Sequence, residues 1–281
     1  MQKFLANIDG RAVITDGESY FDIYEKSKGT FGPSLQSLYD CFDEFLVWLE
    51  DADLRFDKEI GSSVFLPPSP RPTQIFAIGV NYVDHAREAE MPTYSMPVVF
   101  TKFQSSLAGD NVEVELVSEY VDYEIELVVI ISKFAKDVPS ELAGNYIAGY
   151  TVGQDISERK VQFATGEHFS LGKSYPNFAP IGPYLAFAKD VNGPFELELT
   201  LNDRVVQKSS TSKMIFSVNE IISQLSRIVT LYPGDVIFTG TPSGVGFVKN
   251  PPEFLKSGDI LVSSISSIGT LTTKFKKNII S

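Results

Sequence analysis

The 281-residue chain has a single cysteine, Cys41, two histidines and one tryptophan, and its 24 lysines and arginines face 36 aspartates and glutamates. A lone thiol closes no internal disulfide and builds no thiolate metal site, which suits a reducing compartment. The formal net charge of −12 repels phosphate backbones and anionic lipid, so neither nucleic acid nor a membrane is expected as a partner. The densest apolar run, Leu127 to Ile131, is far too short to span a bilayer. The opening MQKFLANIDG lacks the apolar stretch of a secretory signal. Together these absences predict a soluble, cytoplasmic protein. Several catalytic signatures are missing too. There is no Gly-x-Ser-x-Gly elbow, and with two histidines a serine triad has little support. The glycine-rich TGTPSGVG, Thr239 to Gly246, lacks the spacing and the following Lys-Ser/Thr of a phosphate loop, and reads instead as a tight loop offering N–H groups and the Thr241 hydroxyl.

What the sequence does contain is 43% apolar and 12% aromatic residues, with 20 glycines and 16 prolines between short β-branched runs. That rhythm predicts short strands joined by turns, an α+β, mainly β fold with few helices. Residues 1–70 read as a small α+β N-terminal domain ending in a proline-rich linker (LPPSPRPT, Leu66 to Thr73), and 71–281 as the main domain. Asp9-Gly10 between two strand-like runs marks a hairpin. Leu35, Leu38, Phe42, Phe45, Leu46 and Leu49 share one helical face, as do Ile215, Val218, Ile222, Leu225 and Ile228 further on.

The densest chemistry lies in Asp122-Tyr123-Glu124-Ile125-Glu126 and the apolar run that follows. In a strand, Asp122, Glu124 and Glu126 point to one face, so three carboxylates meet where the chain enters a core. Such crowding needs a positive partner, and a hard divalent cation is the simplest; the other reading is an acidic strand end in solvent. Asp155, ending the run YIAGYTV, offers a further oxygen ligand or serves as a turn residue. His85 precedes Glu88 by three positions, on the same helical face, which suits a histidine held by a carboxylate as a general base, or merely a surface pair. Lys173 is either solvated or aimed at a substrate carboxylate or developing enolate. Arg159 and Gln162 follow Asp155 on one face if a helix begins there. His168 has no comparable partner and reads as structural or peripheral.

Taken together, the ordered segments GVNYVDHAREAE, PVVFTKFQSSLAG, DYEIELVVIIS, AGYTVGQDIS, LGKSYPNFAPIGP, LNDRVVQ, SKMIFSVNEIISQLS and LYPGDVIFTGTPSGVG resemble the fumarylacetoacetate hydrolase family over roughly Ile75 to Phe275. The resemblance implies a β-roll catalytic domain of mixed sheets behind a small variable N-terminal domain, paired as a homodimer. It implies a divalent ion, Mg²⁺ or Mn²⁺ with Ca²⁺ in some members, held by Glu124, Glu126 and Asp155. It carries a His–Glu dyad onto His85 and Glu88, a lysine onto Lys173, and substrate-orienting positions onto Arg159, Gln162 and Thr241; Asp122 falls where the family is often acidic without ligating. The implied substrates are small 2-keto acids. Hydrolysis of the C–C bond of an acylpyruvate-type 2,4-diketo acid through a metal-stabilised pyruvate enolate is the first expectation. Decarboxylation of an oxaloacetate-type acid, or isomerisation of a 2-hydroxy-diene-dioate, is the alternative on the same site, and a non-catalytic binding module the remote one. Two departures, Glu167-His168-Phe169 where many relatives have Gly-Gln-Trp, and Lys160 where many have Asp, bear on the substrate.

Overall fold

A computed structural model describes residues 2–52, 55–90, 92, 94–164, 166 and 168–277. Its frame is a mixed sheet in which ten strands run in the order Lys58–Glu59, Ser19–Asp22, Arg11–Thr15, Phe4–Ile8, Ala179–Phe187, Ile147–Gln154, Ile125–Ile131, Val236–Phe238, Ile75–Gly79 and Val98–Thr101. Two short strands, Phe65–Leu66 and Leu107–Ala108, add to its flank. A second sheet orders Arg204–Ser210, Glu196–Leu201, Ile260–Ile265, Gly269–Lys277 and Val112–Leu116. Strands dominate and helices are short, the mainly β, α+β architecture expected from the turn-rich composition.

The central strand Ile125–Ile131 is buried at every position. Val128 and Ile130 face one core, shared with the N-terminal helices; Val129 and Ile131 face another, under the helix Val218–Ile228; Ile125 and Leu127 pack toward the second sheet. A strand covered on both faces needs no polar alternation, which accounts for its unbroken apolar run.

Asp9 and Gly10 take φ of +51° and +86° between Phe4–Ile8 and Arg11–Thr15, the left-handed pair that a two-residue hairpin turn requires. The helix Val218–Ile228 forms on the expected spacing and starts with a capping box between Ser217 and Glu220. The long helix expected from Leu35 onward is two: Leu35–Tyr39 and Phe42–Asp51, broken at Asp40-Cys41. Both pieces keep their apolar faces on the same core.

Strand pairing crosses residue 70. Phe4–Ile8 hydrogen-bonds antiparallel to Ala179–Phe187, so the N-terminal strands continue the main sheet. The proline-rich stretch is clamped rather than free: Tyr39 Oη donates to Pro68 O at 2.7 Å, and the buried Ser69 hydroxyl donates to Gly234 O at 2.5 Å. Among the described residues no helix is long and apolar enough to cross a membrane.

Candidate active site and metal centre

The candidate residues gather at one end of four neighbouring strands. Glu124 precedes Ile125–Ile131 and Glu126 lies within it, while Asp155 follows the antiparallel neighbour Ile147–Gln154. The register pairs Ile125 with Gln154 and Glu126 with Gly153, and the Asp155 N–H donates to Glu124 O at 2.9 Å. Thr241 follows Val236–Phe238 on the other side, and His85 and Glu88 lie on the helix Val83–Glu88 just beyond Ile75–Gly79.

The expected continuous strand from Asp122 is interrupted. Val121–Asp122 pairs with Ser157–Glu158 in a separate two-stranded ribbon, and regular pairing resumes at Ile125. The break sends Asp122 toward Arg159, whose Nε and Nη2 donate to Asp122 Oδ2 at 2.9 and 2.7 Å. Its Nη1 reaches Gln162 Oε1 at 2.9 Å and Glu124 Oε1 at 2.8 Å. Four of the guanidinium's five N–H directions are thus taken by protein acceptors. Lys173 Nζ donates to Glu124 Oε2 at 2.7 Å and to Asp155 Oδ2 at 2.6 Å.

Sequence reasoning missed Lys102. Its ammonium, fully buried, donates to Asp155 Oδ1 at 2.5 Å and also to the Lys173 carbonyl. Nothing local marks it: the residues around it read as an ordinary strand, and its acidic partner is 53 positions away.

The acidic strand end in solvent is therefore not what forms. Asp122, Glu126 and Asp155 are essentially inaccessible and Glu124 nearly so. Burial resists ionisation of Glu124, but the charges of Lys173 and Arg159 outweigh it and hold that carboxyl down to about 2. Glu126 behaves oppositely: burial, then the neighbouring charges of Asp155 and Glu124, push its carboxyl well above the usual range. Among the described residues Glu126 forms no salt bridge; its Oε2 accepts the Gly240 N–H at 2.7 Å.

These facts test the fit of a metal. One carboxylate oxygen from each of Glu124, Glu126 and Asp155 lies within 4.8 Å of the others. Three hard oxygen donors, one of them without a cationic partner, suit Mg²⁺, Mn²⁺ or Ca²⁺ rather than a thiophilic ion. With every group ionised, four buried carboxylates, counting Asp122, outnumber Lys102, Arg159 and Lys173 by one; a dication would turn that balance into one positive charge, which suits an anionic ligand.

His85 is buried, with Nδ1 3.5 Å from Glu88 Oε2. Glu88 in turn accepts the Gly244 N–H through both oxygens at 3.1 and 3.0 Å. The Thr241 hydroxyl donates to Ile125 O and accepts from Gln207 Nε2, each at 2.9 Å. The loop beyond is tied down by Asp122, whose oxygens accept the N–H groups of Gly246 and Phe247 at 2.8 and 3.0 Å. A Cβ on Gly246 would stand 1.9 Å from Glu253 O and 2.6 Å from Asp122 Oδ1, so only glycine fits there.

His85, Glu124, Arg159, Gln162, Lys173 and Thr241 line one small pocket. Its other walls are apolar: Phe100, Phe163, Phe169 and Phe247, with Ile78 and Val80. Phe169 contacts Phe100 and Phe163 edge-on, with centroids 5.7 and 6.0 Å apart. Of the two departures, Glu167 lies outside the described residues and His168 is exposed. Lys160 is exposed as well, its ammonium 5.2 Å from the Tyr120 ring centroid, and it does not line the pocket.

A roll of mixed sheets thus carries a buried carboxylate triad beside a His–Glu pair. Residues 74–276 match the family model described as fumarylacetoacetate (FAA) hydrolase C-terminal. The chain is 43% identical over 219 residues to the fumarylacetoacetate hydrolase domain-containing protein 2 homolog of Dictyostelium discoideum, covering 73% of this chain and 72% of that one. It is 41% identical to the human mitochondrial oxaloacetate tautomerase FAHD2A, covering 75% and 68%. Among solved structures, a Mycobacterium smegmatis protein under the provisional name HpcE has 42% identity and a TM-score of 0.93 over 97% of this chain and 99% of that one. The maleylpyruvate hydrolase of Sphingobium sp. SYK-6, in complex with manganese (II) ion and pyruvate, has 27% identity and a TM-score of 0.79 over 98% and 99%. The chain belongs to the fumarylacetoacetate hydrolase family of enzymes.

Proposed function

We propose that this enzyme moves a proton between the enol oxygen and C3 of a small 2-keto acid of the oxaloacetate class, interconverting enol and keto forms. The observation that carries the reading is one pocket lined by His85, Glu124 and Lys173, with Glu126 and Asp155 clustered on Glu124 and Glu88 paired with His85. Glu124, Glu126 and Asp155 hold a divalent cation, Mg²⁺ or Mn²⁺. When bound, that ion supplies Lewis-acid polarisation of the 2-keto oxygen and an anchor for the neighbouring carboxylate.

The chain's own groups do the rest. Lys173 stays charged, because Asp155 and Glu124 outweigh its burial, and it stabilises negative charge developing on the enolate. Glu88 faces His85 Nδ1, so His85 Nε2 is the atom that takes or gives the proton. Arg159 fixes Glu124, and its one remaining N–H direction, with the Gln162 amide and Thr241, orients the substrate. The phenylalanine walls keep bulk water from the proton in transit.

The name of the human relative favours this reading. A second, hydrolysis of the C3–C4 bond of an acylpyruvate by water deprotonated at His85, is favoured by the dyad itself and by the maleylpyruvate hydrolase neighbour. The proposal further takes 71–281 as the catalytic unit with 1–70 as an attached domain, and a homodimer as the working form. It keeps the cytoplasm as the compartment on the strength of the lone cysteine, although the vertebrate relatives are named mitochondrial.

One panel assay decides. With Mg²⁺ or Mn²⁺ present, loss of the enol absorbance of oxaloacetate should accelerate in proportion to enzyme. Preferential cleavage of acylpyruvates would put hydrolysis first. Inactivity of metal-replete protein on every 2-keto acid offered would end both readings.

A further inference from the structure

Val80 follows the strand Ile75–Gly79 and opens the turn into the helix Val83–Glu88. Its φ is +53°. The left-handed region is the province of glycine and, less often, asparagine; for a β-branched side chain it is an outlier, because the branches crowd the backbone.

The residue after it explains why the turn cannot relax. Asn81 is fully buried, and its Nδ2 donates to Phe216 O at 2.9 Å and Thr239 O at 2.8 Å. Its Oδ1 accepts the Phe216 N–H at 2.8 Å, and its carbonyl accepts the Ile215 N–H at 2.8 Å. On the other side, a Cβ at Gly240 would fall 2.6 Å from the Asn81 Cβ. The turn is wedged between two segments, and its conformation at position 80 is dictated from outside. Glycine would meet that demand without strain. The chain has valine instead, and Val80 is among the residues that line the pocket with His85, Phe100, Phe163 and Phe169.

We propose that Val80 is a specificity-determining residue: a strained position kept apolar so that its isopropyl group contacts the carbon chain of the substrate next to the proton-transfer atom of His85. Strain at a site that a less strained residue would satisfy points to a demand from function rather than from folding. The inference rests on reading the pocket as a 2-keto-acid site.

The test is Val80→Gly, with Val80→Leu as the variant that keeps an apolar wall. Thermal melting of the full chain should give Val80→Gly a Tm equal to or above that of the native protein, since relief of strain offsets the freedom glycine gains when unfolded. In the same preparations with Mg²⁺, kcat/KM on oxaloacetate or an acylpyruvate should fall about tenfold or more, mostly through KM, with Val80→Leu near the native value. Unchanged kcat/KM in Val80→Gly would overturn the inference. So would a Tm several degrees below native, because valine would then be serving the turn. Native protein inactive on every 2-keto acid strikes the proposed function alone, and the melting comparison still decides whether position 80 is strained.

Discussion

Around Phe45 burial brings rings together; around Asp155 it brings charges together. In the first region Phe31, Phe42 and Trp48 surround Phe45 with centroids 5.8, 6.0 and 6.0 Å away, and the helices Leu35–Tyr39 and Phe42–Asp51 lay these rings on the main sheet. In the second, Lys102, Lys173 and Arg159 are threaded between Asp122, Glu124 and Asp155. The hydrophobic burial of those rings is non-directional, and most of it survives small changes of geometry. Buried charges are the reverse: desolvating an ion costs several kcal/mol, and the attraction of partners repays it only in one geometry. A protein that wanted stability alone would extend the first solution into the second region. Under the proposed function the charges are kept there because the chemistry needs them.

Breaking the charged region at its largest effect means removing the metal. Chelation should abolish turnover while the melt of the chain remains cooperative, with Mg²⁺ or Mn²⁺ restoring activity. The stabilisation these ions give should also depend on pH, with a sign set by Glu126. A raised carboxyl pKa contributes stability at low pH and loses it as pH rises through the folded value; a cation replaces the departing proton. The Tm gained on adding Mn²⁺ should therefore grow as pH rises above the ordinary carboxyl range. Glu124 runs oppositely: depressed to about 2, its contribution is present above its ordinary pKa and is lost as pH falls toward that value. A Tm gain from Mn²⁺ that shrank with rising pH would contradict the role given to Glu126.

Next in size, Arg159→Met leaves Asp122 and Glu124 short of a partner and should lower stability by ~3–5 kcal/mol, read by urea denaturation. Phe45→Ala should lower it by a similar ~3–5 kcal/mol yet leave KM untouched, which separates the two regions by function where stability does not. His85→Ala should reduce kcat by ~10²–10⁴ with Tm nearly constant. The smallest effect belongs to the surface pair Lys189–Glu50, 3.1 Å apart with both side chains exposed. Lys189→Ala should change stability by less than ~1 kcal/mol, and less again at high salt.

The ring-packed region was the more legible in sequence. Leu35, Leu38, Phe42, Phe45 and Leu49 all reach the core because helical spacing and apolar character are local signals. Only the break at Asp40-Cys41 escaped, since neither residue is a helix breaker by type. Of the charged region, spacing singled out the Glu124–Glu126 and His85–Glu88 pairs, while the roles given to Lys173, Arg159, Gln162 and Thr241 came from segments matched to a family. Alternation brought Glu124 and Glu126 to one face but gave no hint that Asp122 leaves the strand, because the interruption at Tyr123-Glu124 depends on the ribbon with Ser157–Glu158. Lys102 was invisible for the same reason: a buried lysine is made by its distant partners. Val80 carried no signal at all, its strain being imposed by Asn81 and Gly240.

The pairing of Phe4–Ile8 with Ala179–Phe187 joins Phe4 to Ala186, about 180 residues apart in the chain. On the ribosome this strand is thus completed late. At ~5–20 residues per second, its partner emerges roughly ten to forty seconds after it. Through that interval Phe4 and Leu5 and an open row of backbone N–H and C=O groups stand exposed, a template for pairing with the wrong chain.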